Sequence, residues 1–297
     1  MPHPDFTPIP LIREDPADPS TTIPEDQWSD ADRAALRALS AVYDEIDSFR
    51  DTERSRQVKI GPSEVGMECD KCFMRKMAEK PKSPHDNGSW KTQVGTYVHA
   101  GLQADYQARL NLLFTRFPER RVIVDEYRDR VLDGSCDLFI PQADTPIDGF
   151  GLVVDWKIPS TDEDGKGKLK PSSTMQKTIK GDIKRDYVVQ SNLYGRGYER
   201  LGLPVSHVCV FYIPSFGQLW HAKPILMRYD PKWAAWGVAR WRAALDEHAE
   251  LVATHMSVEA AWDLMIEKAP KANFCFSCKR YEEQEQAQSP LAILRGH

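Results

Sequence analysis

The amino-acid sequence predicts an α/β fold in which a mixed central sheet is flanked by helices. Apolar runs of strand character lie at 121–127, 130–140 and 151–158, and two more follow at 205–213 and 218–227. A helical pattern precedes the first three runs, and another separates them from the last two. This order of helix, three strands, helix and strand is typical of a sheet covered by helices.

Length and charge limit the classes of protein that need to be considered. At 297 residues the chain can bury a full core, as one large domain or two small ones. Its net charge of −5 argues against a generally basic surface, so a nucleic-acid site has to be a local positive patch or a metal centre. No run approaches the ~20 apolar residues of a membrane span, and no signal peptide is visible, so we expect a cytoplasmic protein.

The N-terminal part of the chain differs in composition from the rest. Residues 1–27 are rich in Pro, Asp and Thr without periodicity, which is typical of a disordered or extended arm. Ser29 or Asp30 can cap a helix over about 30–55, where apolar residues recur at helical spacing. We divide the chain into an arm, an N-terminal helix, a segment with cysteines and a linker, a core, a C-terminal helical segment and a tail. In that order, their bounds are 1–27, 28–58, 59–92, 93–230, 231–285 and 286–297.

Four further helices are predicted within and after the core. Their approximate bounds are 95–115, with Gly95 at the start, then 186–201, 231–255 and 257–267. The third of these helices carries Trp233, Trp236 and Trp241, which we expect to pack against the core.

Two acids and a lysine lie in neighbouring predicted strands. Asp137 is in one strand, and Asp155 and Lys157 are two residues apart in the next, so these two should project to the same face. Ordinary charges on surface strands are the plain alternative. Acids flanked by such apolar residues are costly to bury, however, unless they are paired or bind metal. Two carboxylates and a lysine at a sheet edge therefore predict metal-dependent phosphodiester hydrolysis.

Helical residues supply further candidates for the same site. His99 lies one turn after Gly95, and neutral imidazole is a good ligand for Mn²⁺-like metals, although a lone helical His is more often structural. Gln190 and Tyr194 are four residues apart and share a helix face. Their amide and phenol groups can hydrogen-bond a phosphate, a base or the lysine.

Four of the six cysteines form two C-x2-C pairs, one near each end of the chain. They are Cys69 with Cys72 and Cys275 with Cys278. In a cytoplasmic protein such pairs predict a metal centre rather than disulfides, and a shared centre would join the two ends of the chain. The spacing does not distinguish structural zinc from an iron–sulfur cluster, because both use four thiolates. Cys136 and Cys209 lie in apolar strands and are predicted to be buried.

A basic stretch follows the strand that carries Asp155 and Lys157. Between 166 and 185 there are seven cations against one acid, Asp182, whereas the whole chain is acidic. Such a stretch is usually a solvated loop, but its position next to the predicted site favours a role in guiding DNA. The cations are Lys166, Lys168, Lys170, Lys177, Lys180, Lys184 and Arg185.

These residues, in this order, resemble the PD-(D/E)XK nuclease superfamily. The nearest likeness is to RecB-type exonucleases with a cysteine-bound cluster, including the CRISPR-associated exonuclease family and its phage-encoded relatives. The helical Gly-x-x-x-His, the second-motif Asp, the Asp/Glu-x-Lys strand and the helical Gln-x-x-x-Tyr of that family are matched over about residues 60 to 280. The matching residues are Gly95 with His99, Asp137, Asp155 with Lys157, and Gln190 with Tyr194.

The resemblance implies a restriction-endonuclease-like core that uses Mg²⁺ or Mn²⁺ to act on DNA, from ends or on single strands. It implies that His99, Asp137, Asp155 and the backbone carbonyl of Ile158 bind the metal. It also implies that Lys157 orients or deprotonates the attacking water. By the same likeness, Gln190 and Tyr194 position the scissile strand or the lysine. A recombination, helicase or CRISPR integration partner would fit the family, and a membrane would not.

The same likeness implies that the four paired cysteines hold a [4Fe–4S] cluster, with structural Zn²⁺ as the alternative. Many members of the family have one cysteine before the core and three after it, whereas this chain has two and two. Two further classes of function stay open at this point. One is a non-catalytic DNA-binding module with structural zinc, and the other is an endonuclease of the same fold.

Overall fold

The computed structural model describes residues 12–13, 22–30, 59–80, 90–109, 116–141, 148–158, 161–163, 169–171, 183–213, 222–273 and 275–287. The chain forms two units, 1–55 and 56–297. In the first unit, β1 (Ile12–Arg13) pairs antiparallel with β2 (Thr22–Ile23), and a short 3-10 helix spans Glu25–Gln27. These elements lie in the segment predicted as an arm. Beyond Asp30, the helix predicted over about 30–55 lies outside the described residues.

A five-stranded mixed sheet forms the centre of the second unit. Its strands follow the order β3-β4-β5-β8-β9, and only the β5–β8 pair is parallel. Between β5 and β8 the chain adds a small antiparallel pair, β6 with β7. The strands are β3 (Phe117–Tyr127), β4 (Arg130–Ile140), β5 (Leu152–Lys157), β6 (Thr161–Glu163), β7 (Leu169–Pro171), β8 (His207–Tyr212) and β9 (Lys223–Arg228). The predicted α/β class with a mixed sheet is confirmed.

Helices precede, interrupt and follow this sheet. They are α1 (Pro62–Val65), α2 (Asp70–Met77), α3 (Trp90–Arg109), α4 (Arg185–Arg200), α5 (Pro231–Ala253), α6 (Val258–Lys268) and α7 (Phe276–Ala287). Helix α3 begins at Trp90, five residues before the predicted start at Gly95. A glycine weighs against a helix interior, yet the helix continues through it here, where a Cβ would meet only Ile158 at 4.0 Å.

Two helices cover opposite faces of the sheet. On one face, Tyr194 and Tyr198 of α4 pack with Val153 of β5. On the other face, Leu102 and Tyr106 of α3 lie against the apolar residues of β4 and β5. Helix α4 is also buried on its outer side, where Val189 and Leu193 join the core cluster that includes α5. It therefore connects the parallel strands β5 and β8 as a central, nearly enclosed helix.

The tryptophans of α5 do not all pack as predicted. Trp241 is 1% exposed and lies in the core, but Trp233 and Trp236 are each 38% exposed. The inner face of α5 approaches α4 through small residues, and a Cβ on Gly237 would lie 3.2 Å from side-chain atoms of Leu193. Such a close approach leaves no room for an indole between the helices, so the prediction that all three would pack is wrong for two of them.

Two further findings concern the cysteines in the strands and the apolar character of the helices. Cys136 and Cys209 are buried in the core, as predicted. Among the residues described, no helix is both long and apolar enough to cross a membrane.

The backbone at Gly151 lies very close to the backbone at Pro204, and a substitution there tests the packing beside β5. The carbonyl oxygen of Gly151 accepts hydrogen bonds from the backbone of Ser206 and His207. A Cβ at Gly151 would lie 1.9 Å from the carbonyl oxygen of Pro204. Gly151→Ala should therefore lower the free energy of unfolding by about 2 kcal/mol, measured by urea denaturation.

Gly101 is the matched control for that substitution. It is exposed on α3, and a Cβ there would meet no atom within 4 Å. Gly101→Ala should leave stability unchanged or raise it by up to about 1 kcal/mol, since alanine favours the helix. Equal effects of the two substitutions would contradict the packing at Gly151.

Candidate active site and cysteine centre

Strands β4 and β5 separate at the residues that carry the predicted acids. Their backbone pairing covers Ile140 with Leu152 through Leu138 with Val154 and stops there. At the next position the carboxylate of Asp137 accepts a hydrogen bond from the backbone N–H of Trp156, at 2.6 Å. A side chain thus takes the place of a ladder carbonyl, which fixes Asp137 at the point where the strands diverge.

Asp155, Lys157 and Gln190 form a closed set of three contacts beside this point. Lys157 Nζ lies 2.7 Å from Asp155 Oδ2 and donates to Gln190 Oε1 at 3.0 Å. Gln190 Nε2 donates to the second carboxylate oxygen of Asp155 at 2.9 Å. Strand alternation puts Asp155 and Lys157 on the same face, as the sequence predicts, and α4 covers that face and places the amide of Gln190 opposite them.

Burial shifts the proton affinities of this network. Asp155 is 1% exposed, and burial raises its pKa to about 6 even though Lys157 works to lower it. Burial alone would lower the pKa of Lys157, but the carboxylate of Asp155 outweighs it and raises that pKa. The lysine is therefore held as an ammonium against a carboxylate, since each partner compensates the other's loss of water.

Two tyrosines line the network from α4. Tyr194, one turn after Gln190, is buried, and burial raises its pKa well above the ordinary value. It packs in the core cluster that includes Val153 of β5. Tyr187 was not singled out from the sequence, yet Lys157 Nζ lies 4.7 Å from its ring centroid. A cation–π contact of this kind adds a third attraction that positions the ammonium.

His99, Glu119 and Asp137 form a group that could hold a metal ion. One ligand atom from each lies within 4.8 Å of the others. His99 Nδ1 is 3.2 Å from Asp137 Oδ1 and 3.8 Å from Glu119 Oε1. One imidazole and two carboxylates are hard or borderline donors, so this set fits Mg²⁺ or Mn²⁺ better than a thiophilic metal.

Glu119, like Tyr187, is a site residue that the sequence reasoning missed. It precedes the predicted start of its strand at 121, and no motif contains it. In the structure it lies on β3, between the pairs Pro118–Leu138 and Arg120–Cys136, and thus opposite Asp137. Its φ of 47° is in the left-handed region, which is strained for glutamate. Only the pairing of β3 with β4 reveals this neighbour, and that pairing is a tertiary property.

The predicted metal ligands are thus distributed over two adjoining groups. His99 and Asp137 lie together, whereas the carboxylate of Asp155 faces Lys157 and Gln190. Ile158 follows β5 directly and lies close to α3, because a Cβ on Gly95 would be 4.0 Å from the Cβ of Ile158. The ligand roles of Asp155 and of the Ile158 carbonyl remain predictions.

The four paired cysteines lie together, so the two ends of the second unit meet as predicted. Sγ atoms are 3.5 Å apart for Cys69 and Cys278, and 3.4 Å apart for Cys72 with either Cys275 or Cys278. Burial works to raise the pKa of Cys69, but backbone hydrogen bonds from Ala272 and Cys72 lower it to about 7. A thiolate, the form that binds metal, is therefore accessible near neutral pH.

The thiols fit a metal centre by their chemistry and spacing. Four thiolates at 2.3 Å around one tetrahedral ion lie about 3.8 Å apart, close to the observed spacing. A cubane cluster would require the cysteine side chains to turn outward from these positions. Buried Arg75 donates towards Cys278 Sγ at 3.7 Å, which favours negative charge on the sulfur.

Arginines join the cysteine segment to the helices of the core. Arg185, the first residue of α4, donates to the carbonyl oxygens of Gly66 and Met67. Arg240 of α5 donates to the carbonyl oxygens of Val65 and Met67. The loop that leads into the first cysteine pair is therefore fixed to the helix that carries Gln190.

Only part of the predicted basic stretch is described. Lys184 and Arg185 lie at the start of α4, next to Tyr187, and Lys170 lies in β7. Lys184 Nζ is 5.4 Å from the ring centroid of Tyr187, which places one cation of the stretch beside the site. Lys166, Lys168, Lys177 and Lys180 lie outside the described residues.

No family model matches the sequence, and no curated protein does. Among solved structures, an alkaline exonuclease from Laribacter hongkongensis is similar, with 12% identity and a TM-score of 0.40 over 73% of this chain and 97% of that one. A protein described as a putative exonuclease from Eubacterium rectale has 10% identity and a TM-score of 0.39 over 74% of this chain and 87% of that one. Likenesses of this size assign neither a family nor an activity, so function has to follow from the site.

Glu119→Gln tests whether the group with His99 and Asp137 binds a divalent cation. It keeps the size of the side chain and removes one ligand charge, so Mn²⁺ affinity should fall by about tenfold or more in calorimetric titration. Glu126→Gln is the matched control, because Glu126 lies on the same strand, is exposed, and pairs with Arg200. Unchanged Mn²⁺ affinity in the Glu119 variant would remove this residue from the site.

Proposed function

We propose that this protein is a metal-dependent nuclease that hydrolyses phosphodiester bonds of DNA, acting on free ends or single strands as an exonuclease. One observation carries the proposal. Lys157 is bonded to both Asp155 and Gln190, directly beside a group of metal-binding character that includes His99 and Asp137. Both parts lie where β4 and β5 diverge, so the two kinds of chemistry meet at one opening of the sheet.

The exposure of the network supports a catalytic rather than a purely structural role. The Asp155 side chain is 1% exposed, whereas that of Lys157 is 20% exposed. The anchoring carboxylate is thus fully buried, whereas the lysine side chain is partly exposed. Buried charges are costly, and hydrophobic packing would stabilise the fold as well or better, so a charged network at an opening favours a functional site.

Each residue has a role that its contacts support. His99, Glu119 and Asp137 would hold Mg²⁺ or Mn²⁺. Asp155, which contacts Lys157 and Gln190, is the further predicted ligand of the same ion. When bound, such a cation polarises the scissile phosphate and lowers the pKa of a water molecule. Lys157 orients the attacking water and offsets the negative charge that develops on the phosphate.

Gln190 positions the lysine directly, and Tyr194 supports this arrangement from the core. The amide of Gln190 bridges Lys157 and Asp155 and so sets the direction of the ammonium. Tyr194 fills the core behind it, where α4 meets β5. This assignment takes the second of the two roles expected from the sequence, which was to position Lys157.

Lys157→Ala tests the proposed mechanism. It removes the ammonium but none of the proposed metal ligands, so cleavage of end-labelled single-stranded DNA in Mn²⁺ should fall by about a hundredfold or more, with Mn²⁺ binding retained. Lys268→Ala, at the exposed C-terminal end of α6, serves as the control and should cut like the wild type.

A comparison of circular and linear substrates distinguishes an exonuclease from an endonuclease and from a non-catalytic DNA-binding module. A closed circular single strand should survive, and a linear one should be digested only when a divalent cation is present. Cutting of the circle would identify an endonuclease. Full activity in the Lys157 variant would refute the site, and DNA binding without cleavage under any metal would favour a non-catalytic module.

For the cysteine centre we propose a [4Fe–4S] cluster that fixes the end segments to the core, with a single Zn²⁺ as the alternative. The family resemblance supports the cluster, and the thiol spacing supports the ion. Metal analysis and visible absorption of anaerobically purified protein separate them, since only the cluster is coloured.

Cys278→Ser should release the metal and lower the melting temperature, because Cys278 contacts both Cys69 and Cys72. Cys209→Ser is the control, since that buried cysteine lies in β8 among apolar residues. It should lower the melting temperature without loss of metal. Retention of metal by the Cys278 variant would contradict the four-cysteine centre.

A further inference from the structure

Two exposed tryptophans lie on α5 at the end that adjoins the start of α4. Trp233 and Trp236 are each 38% exposed, and three residues along a helix separate neighbours on one face. Indoles carry large apolar surfaces, so adjacent exposed ones are more often part of a binding surface than of a solvated face. Trp233 and Trp236 are not needed for the packing of α5, because Trp241 and small residues already form its buried face.

Two guanidinium groups adjoin the ring of Trp236. The guanidinium carbons of Arg185 and Arg240 lie 5.1 and 5.5 Å from its ring centroid, and Arg240 is also paired with Asp70. Arg185 is held by hydrogen bonds to the carbonyl oxygens of Gly66 and Met67, at 3.2 and 2.8 Å. Carbonyl oxygens orient a guanidinium without neutralising it, so Arg185 keeps its charge for an anion beside the indole.

Lys184 connects this surface with the candidate active site. It precedes Arg185 in the chain, and its Nζ lies 5.4 Å from the same Tyr187 ring that Lys157 contacts. The acid at the start of α5, Asp230, caps that helix by accepting from the backbone N–H of Lys232. The path from Lys157 to Trp236 therefore follows the first turn of α4, where the cations Lys184 and Arg185 precede the acid Asp186.

We propose that Lys184, Arg185, Trp233 and Trp236 form a surface that binds single-stranded DNA next to the scissile bond, and we call it the tryptophan surface. The inference rests on the proposed nuclease function, which it extends by assigning the binding site of the substrate. Aromatic rings stack on any base, and cations neutralise the phosphates between them. Bases of a duplex are not free to stack on the rings, so the surface selects single strands without reading sequence.

Binding in EDTA tests the tryptophan surface without cleavage. The Kd of a labelled oligothymidine would be measured by anisotropy for Trp236→Ala, Trp236→Phe and Trp236→Leu. We expect the Ala and Leu variants to bind at least about fivefold more weakly and the Phe variant to bind like the wild type, because stacking requires a ring. Leu201→Ala, an exposed apolar residue just beyond α4, is the control and should not change the Kd.

The outcomes separate this inference from the proposed function. Equal binding by the Leu and Phe variants, or wild-type binding by the Ala variant, would overturn the tryptophan surface even if Lys157-dependent cleavage is found. Ring-dependent binding without any metal-dependent cleavage would support the surface and refute the nuclease. Tighter binding of an oligouridine than of the oligothymidine would overturn DNA as the occupant. Thermal melting of each variant establishes that it is folded.

Discussion

The buried carboxylate of Asp155 is the constraint on which the core arrangement depends. A carboxylate that is 1% exposed is stable only if its lost hydration is replaced, and Lys157 and Gln190 supply the replacement. Gln190 belongs to α4, so the helix has to sit with that turn against the end of β5. Because α4 also connects β5 to the parallel strand β8, this local requirement fixes the register of the whole crossover.

Helix α4 transmits that requirement beyond the sheet. Its inner side packs on β5, its outer side packs on α5, and its first residue, Arg185, holds the loop before the cysteine centre. The cysteines at the two ends of the second unit are therefore connected, through this loop, to the helix that orients Lys157. Displacement of the cysteine segment would therefore act first on the loop at Gly66 and Met67, which Arg185 of α4 and Arg240 of α5 both hold.

Sequence periodicity was sufficient for the parts of the site that depend on one element. Alternation along β5 placed Asp155 and Lys157 on one face, and helical spacing placed Gln190 and Tyr194 on one face of α4. It could not reveal Glu119, because that residue becomes a neighbour of Asp137 only when β3 pairs with β4. Nor could it reveal that Trp233 is exposed, since the close approach of α5 at Gly237 depends on the shape of its partner helix. What the sequence leaves open are contacts between elements.

The two groups that could hold a metal ion differ in the donor atoms that they offer. The site in the sheet offers an imidazole and carboxylates, whereas the centre at the chain ends offers only thiolates. Cys136 is the one thiol that adjoins the sheet site in sequence, next to Asp137. Its Sγ donates to the carbonyl of Leu138 at 3.4 Å, and burial raises its pKa well above the usual value, so it stays a neutral thiol. A thiophilic metal would therefore find no thiolate beside Asp137, and the donor atoms of the two groups favour different kinds of ion.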